Sequence, residues 1–376
     1  MSELNASNLR KEHGDEGPDL VGITALTSPY FMVPPSGTTA ERPQNPEPGT
    51  LRFNTDSGTL EYYKGDATLG GWENVNRVQP ARTAPRAFVI GDVSGDGVTN
   101  IIEYISMTTA GNGVDHGDLT QALGACGACS DTVRGVRLGG VTSYPATMTN
   151  VIDYFSLNAG GNAVDFGDVA VTRRGLLSWG DRTRGGCAGG ANPWSAANKT
   201  EIDYVTIQSK GNTTTWGNLT VASGLNGSSS WGSKTRALFG CIGCNGPANN
   251  VNTVDYLNMQ STGNALDFGD LTYKPDNNAT ASNSIRGLCM GGNDSGYLNT
   301  ICYCTIATTG NFADFGDLVG TVQESGAVGS PIRSINNRSV NIDAMTIMTL
   351  GNAFDWGDLT LARDHNSMMS NVHGGL

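Results

Sequence analysis

Six segments of this chain repeat one pattern, and that recurrence limits what the chain can fold into. Between Val254 and Thr272 the pattern reads VDYLNMQSTGNALDFGDLT. Ile102-Glu103-Tyr104 leads through Gly111-Asn112 to VDHGDLT, and Ile152-Asp153-Tyr154 through Gly161-Asn162 to VDFGDV. Ile202-Asp203-Tyr204 leads through Gly211-Asn212 to TTWGNLT, and Ile301-Cys302-Tyr303 through Gly310-Asn311 to ADFGDL. The last copy runs from Ile342-Asp343 through Gly351-Asn352 to FDWGDLT. The Asn after Gly stands at positions 112, 162, 212, 264, 311 and 352. A period of roughly 40–50 residues points to propeller blades or a solenoid.

Each copy opens on an arginine followed by a short apolar run, at Arg86, Arg134, Arg184, Arg236, Arg286 and Arg333. An IDYVTI-type segment, a DFGDLT-type segment and a Ser/Ala/Gly-rich segment follow. None has the 3.6-residue apolar period of an amphipathic helix. Segments such as IDYVTI alternate apolar and polar residues and are rich in β-branched and aromatic side chains, which marks strands. Gly-Asn is a turn signal, because both residues tolerate positive φ. Four strands of about five residues with tight turns fill a copy of this length. The expectation is an all-β chain whose residues 81–376 close as a six-bladed β-propeller. Phe166, Trp216, Phe268, Phe315 and Trp356 share one place in the repeat and form its expected buried framework. The C-terminal SNVHGGL echoes SNSIRGL of the fifth copy, which predicts that the C-terminus completes a blade beside Arg86.

A family resemblance rests on these segments. Gly139-Gly140, then NVIDYFSL, then Phe166 and Thr172-Arg173 resemble a kelch repeat, with its strand ending in Gly-Gly, its later strand and its spaced aromatic. Trp216, Phe268 and Trp356 match the aromatic position in other copies. The likeness covers residues 86–376 and implies a divergent, kelch-like propeller. His116 replaces the aromatic in the first copy, and the sixth lacks the Gly-Gly and has Ala344 for Tyr.

Residues 1–30 are polar, and Pro34, Pro35, Pro43, Pro46 and Pro48 punctuate an extended arm. TLRFNTDSGTLEYYKGD reads as a β-hairpin around Thr55-Asp56-Ser57-Gly58, with Trp72 over its apolar face. Residues 1–80 therefore form an arm and one hairpin, too little for a core of their own. VPPSGTTAERPQNPEPGTLRFNTDSGTLEYYKGD with the following GWENV resembles the N-terminal module of tailed-bacteriophage virion proteins, notably tail fibres and structural proteins of phages of marine cyanobacteria. The downstream repeats are similar to those of the same proteins. Together these resemblances imply a virion structural protein, made in the host cytoplasm. They imply that residues 1–80 bind other virion proteins or sister subunits, as a homo-oligomer, and that the propeller faces a host-surface glycan or protein.

The net charge of −12 disfavours nonspecific binding to nucleic acid or an anionic membrane. No run of 18 apolar residues suggests a membrane span, and the polar N-terminus does not read as a secretory signal. A cytoplasmic site of folding fits eight cysteines read as buried thiols. Cys126/Cys129 and Cys241/Cys244 are CxxC pairs, but they lie in different copies without a nearby His, so a metal or disulfide role is the lesser reading.

Asp92 to Glu103, DVSGDGVTNIIE, fits the ligand spacing of a calcium loop at Asp92, Ser94, Asp96 and Glu103. Glu103, however, occupies the repeat position that is Asp in most copies, so a plain inter-strand loop explains it as well. The repeated pairs Asp165/Asp168, Asp267/Asp270, Asp314/Asp317 and Asp355/Asp358 suit bonds to nearby backbone better than catalysis, which needs one asymmetric acid pair. The sequence thus predicts no catalytic residue, no metal and no cofactor. Trp179, Trp194 and Trp231, among Ser, Gly and Asn, are the candidate ligand-stacking aromatics, with packing between blades as their alternative. The expected function is a non-enzymatic tail fibre or surface appendage for host attachment. A capsid or neck decoration protein and a glycan-degrading propeller enzyme are the alternatives. Acids and an arginine gathered at the centre of the repeats would mark the enzyme.

Overall fold

The computed structural model describes residues 34–44, 46–56, 58–65, 71–74, 84–94, 97–143, 147–192, 198–224, 231–240 and 251–372. Trp194, Asp96, Cys241 and Cys244 lie outside them, as does the His373–Leu376 end of the expected clasp. The described residues are all-β apart from one 3-10 turn, Thr39–Glu41. The chain divides into two compact units, Met1–Ala81 and Arg82–Leu376.

The first unit is more than an arm and a hairpin. Its four strands, Ser36–Gly37, Leu51–Asn54, Thr59–Tyr63 and Trp72–Asn74, form one sheet in that order. The hairpin pairs Leu51 with Tyr62 and Asn54 with Thr59. Ser36–Gly37 runs parallel to Phe53–Asn54, and Trp72 pairs with Tyr63. The buried centre of the sheet is charged and polar rather than apolar. Glu61 is fully buried, with Arg42 at 2.6 Å, Arg52 at 3.4 Å and Asn54 at 3.2 Å. The Arg42 hydrogen bond holds the Glu61 carboxyl below its usual range. Both guanidiniums lie within 5.9 Å of the Trp72 ring, which in turn packs on Tyr63.

The second unit holds six equivalent antiparallel sheets. In each, a strand that starts with arginine sits between a small-residue edge strand and the IDY-type strand, and the FGD-type strand forms the other edge. The second sheet, for example, orders Gly127–Ser130, Arg134–Leu138, Val151–Ser156 and Val164–Asp168. The fourth shows three described strands, Arg236–Gly240, Thr253–Asn258 and Leu266–Asp270, with Gly232 bridging Ala237 in place of the small-residue strand. The sheets are offset from the sequence copies by one strand, because the Ser/Ala/Gly-rich end of each copy pairs with the arginine strand of the next. A tight turn enforces this. Asp131 Oδ1 accepts from the N–H groups of Val133 and Arg134, both at 2.6 Å, and Asp181 and Asn283 cap the equivalent turns.

The offset leaves the first arginine strand without a preceding copy, and the C-terminus supplies the missing partner. Ser367–Ser370 pairs with Ala87–Ile90, and Asn371 Oδ1 accepts from the Arg86 N–H at 2.8 Å, as Asp131 does for Arg134. The Ser370-Asn371 step therefore corresponds to Ser282-Asn283, as the echo of SNSIRGL implies.

One register shift recurs between the IDY-type and FGD-type strands. Ile152 faces Gly167 and Asp153 faces Asp165, so Phe166 is skipped as a bulge and turned into the interior. Phe166, Trp216, Phe268, Phe315 and Trp356 are at most 6% exposed. Among the described residues, six apolar clusters lie between consecutive sheets. Phe166, Ile152 and Val136 of the second meet Cys187, Val205 and Ile207 of the third. The series does not stop at the sixth sheet, whose Trp356, Ile335 and Leu359 pack with Ala87, Ile105 and Met107 of the first.

Candidate functional site

The residues that recur most are engaged in joining one sheet to the next. The Asn of each Gly-Asn step sends its Oδ1 to a backbone N–H in the preceding sheet's FGD strand. Asn162 accepts from Asp118 at 3.1 Å, Asn212 from Asp168 at 3.0 Å and Asn264 from Asn218 at 3.0 Å. Asn311 accepts from Asp270 at 3.1 Å, Asn352 from Asp317 at 3.0 Å and Asn112 from Asp358 at 3.2 Å. The strand comes so close that a Cβ on Gly167 or Gly357 would fall against the carbonyl of Gly211 or Gly111. Gly-Asn is thus a turn, and a latch as well.

The opening arginines act at the same interfaces. Each lies over an aromatic ring at 4.2–4.9 Å, Arg333 over Trp356 and Arg236 over Tyr256 for instance. Arg236 also donates to the Ile306 carbonyl of the next sheet at 3.0 Å, and Arg333 to Met107 at 2.8 Å. His116 keeps the aromatic slot of the first sheet. Its Nε2 lies 2.7 Å from the Ser156 carbonyl, as Trp356 Nε1 bonds Ser106, and burial holds it below the usual histidine range. The acid of the IDY step is buried in five sheets. Arg137 pairs with Asp153, Arg173 with Asp203, and Arg363 with Glu103 at 2.7 Å. In the fifth sheet the acid is Cys302, and the Tyr273 hydroxyl bonds the carbonyls of Gly291 and Thr300 that a guanidinium bonds elsewhere.

The aromatics chosen from sequence are not stacking platforms where they are described. Trp179 is fully buried against Trp216, and Trp231 is 2% exposed against Phe312. Both follow the alternative, packing between sheets, and the Ser and Gly around them are there for smallness. Gly186 and Gly287 leave the space that the two indoles fill. Glu103 lies inside the strand Gly97–Ser106 with its carboxylate on Arg363, and Asp92 Oδ1 accepts from the Asp364 N–H at 2.8 Å. Neither points into a calcium loop. The six described cysteines are buried free thiols, and burial raises Cys187 to about 11 and Cys304 to about 12. Among the described residues, no group of three or more His, Cys, Asp or Glu is placed to hold a metal ion, and no helix is long and apolar enough to cross a membrane.

The copies also differ at the turn that leads into each small-residue strand. There Ala125, Gly175, Asn277, Glu324 and His365 all have φ between 49° and 62°. Their backbones are joined head to tail. His365 N–H donates to Glu324 and Glu324 N–H to Asn277, while Ala125 N–H donates to His365 and Gly175 N–H to Ala125, at 2.7–2.9 Å. Two copies carry Ala or Gly at this junction, but three carry ionisable or amide groups. Glu324 Oε2 lies 3.3 Å from His365 Nδ1, and Asn277 Nδ2 donates to Glu324 Oε1 at 3.3 Å. Attraction alone would charge the Glu–His pair. Burial wins instead, aided on Glu324 by Asp364 and Asp276 and on His365 by Arg174, so Glu324 rises to about 7 and His365 falls to about 4. Asp276, 2% exposed, is raised by burial to about 6.

A loop stands beside this cluster. Asp276 and Asn293 exchange backbone bonds, and Gln323 links Asn293 at 3.0 Å to the Tyr297 hydroxyl at 3.2 Å. Tyr297 is 56% exposed. The arrangement can exchange protons near neutral pH at Glu324 and can present a fixed aromatic face beside amides. Nothing in the sequence singles out Tyr297, Asp276, Glu324 or His365, because single residues between repeats have no period to betray them. No protein-family model matches the chain, and no curated protein is significantly similar to it.

Proposed function

We propose that this chain is a non-enzymatic virion structural protein of a tailed phage, a tail fibre or other surface appendage. In this reading Arg82–Leu376 is a six-bladed, kelch-like propeller displayed for host attachment, and the N-terminal unit binds other virion proteins. Six apolar clusters, six Asn latches and the C-terminal strand beside Arg86 support a cyclic order of sheets, because each series returns from the sixth to the first. One observation carries the functional half: the motif residues of all six copies are engaged between sheets, so the repeat is a scaffold and any recognition belongs to its loops. The phage assignment itself rests on the likeness of the N-terminal module to virion proteins. Immunogold labelling of intact particles, with mass spectrometry of their proteins, tests it. Label on the tail is the expected result, label on the head or neck would favour a decoration protein, and absence from purified particles would overturn the proposal.

A second reading has its own observation. Glu324, raised to about 7 by burial beside Asp364 and Asp276, is the kind of acid that a glycan-degrading enzyme uses as proton donor. Release of reducing ends from a host polysaccharide, lost on Glu324→Gln, would establish this reading over the first.

A further inference from the structure

The junction beside the loop 291–298 combines four features that no other described part of the second unit brings together. Tyr297 is exposed, yet its hydroxyl is tied by Gln323, so the ring is oriented without being covered. Asn277, Asn293 and Gln323 supply amides, each with donor and acceptor atoms within one small area. Glu324 and His365 are partly exposed at its edge. Asp276 lies beneath, 2% exposed, and its Oδ1 has no hydrogen-bond partner among the described residues. A buried carboxylate oxygen left without a donor costs free energy that a ligand or its bridging water would recover.

We propose that this junction is a carbohydrate-binding site, in which Tyr297 stacks on a sugar ring while the amides of Asn277, Asn293 and Gln323 and the carboxyl groups of Glu324 and Asp276 bond its hydroxyls. Sugar hydroxyls both donate and accept, which suits mixed amide and carboxyl groups, and the apolar face of a pyranose suits an exposed ring. A metal ion fits less well. Arg174 sets positive charge beside His365, and the acids do not converge as a ligand set. A negatively charged glycan fits less well too, since Asp276, Glu324 and Asp364 stand together. The class selected is a neutral or weakly charged glycan. The inference rests on the display reading for its biological purpose, but not for its chemistry.

The test uses the full chain on an array of immobilised neutral and acidic oligosaccharides. Retention of a neutral glycan is expected, with Tyr297→Ala weakening it at least about tenfold and Tyr297→Phe keeping most of it, because the stacking face survives. Gln323→Ala, which removes one of the sugar-bonding amides but no buried side chain, should weaken it as well. The site is overturned if the chain retains no arrayed glycan or if Tyr297→Ala binds like the parent. It is also overturned if retention vanishes with a chelator and returns with calcium while Tyr297→Ala has no effect, which would mark a cation site. Particles that carry the protein although it binds no glycan would refute this site alone. Glycan binding by a protein missing from particles would refute the virion reading alone.

Discussion

Asn311 shows how much one side chain of the repeat does. Its Oδ1 satisfies the Asp270 N–H, on a strand edge where no ladder partner exists. Asn311→Ala leaves that donor to water in a half-covered seam, and a loss of about 1–2 kcal/mol in urea unfolding is expected. An unchanged midpoint would show the latch to be incidental. Glu324 gives a pH test at the same scale. Its folded pKa of about 7 lies above the ordinary 4.5, so the folded state holds the proton more tightly. That contribution is fully present below about 4.5 and is lost as pH rises to about 7. His365 runs the other way, since its folded value of about 4 lies below 6.5, and its share is lost as pH falls. The two oppose each other over much of the same window, so the wild-type profile alone cannot separate them. Glu324→Gln can. Its stability relative to the parent should rise between pH 4.5 and 7, by at most about 3 kcal/mol, and a flat difference would show that Glu324 titrates normally.

At the scale of elements, the arginine, IDY and FGD strands were legible because each recurs six times, and the IDY strand also alternates apolar and polar residues. The sheet they build was less so. Sequence copies begin at arginine, but the small-residue strand that completes a sheet comes from the copy before, and only pairing reveals that offset. Trp179 and Trp231 show the same limit, since Ser and Gly signal a loop and a crowded interface equally well. Half of the charged knot is implicit in the hairpin, since Arg52 faces Glu61 across it, but Arg42 comes from the segment that follows the parallel strand Ser36–Gly37, and no spacing announces that strand. The clasp strand Ser367–Ser370 carries its own prediction. Met368 packs with the sixth sheet and Met369 with the second, so truncation before Ser367 empties two clusters and exposes the edge of Arg86–Ile90. Each lost methionine costs about 2–5 kcal/mol, a large part of the roughly 5–15 kcal/mol that holds a domain folded. The truncated chain should unfold at a clearly lower temperature, and a peptide spanning residues 366–372 added in trans should restore part of the loss. Melting within a degree of the parent would mean that the other five interfaces suffice.

For the whole molecule, the two units are built on different physics, and this sets the last prediction. The second unit buries a continuous series of apolar clusters, and its Asn latches bond the backbone of neighbouring sheets. Each of those clusters and latches is made by residues of the second unit itself. The first unit has four short strands around one buried Glu61, with Phe53 36% exposed on the hairpin. Buried ion pairs specify geometry but add little net stability, because desolvation offsets most of their attraction. A small sheet of this kind gains more by covering its remaining apolar side chains against other chains, at about 25 cal/mol per Å². Deleting residues 1–81 should therefore leave Arg82–Leu376 soluble, monomeric and melting as the full chain does, while incorporation into phage particles falls to background. The two readouts separate the parts of the argument. A second unit that aggregates without the first would refute its self-sufficiency, and a truncated chain that still enters particles would place the anchor in the repeats instead.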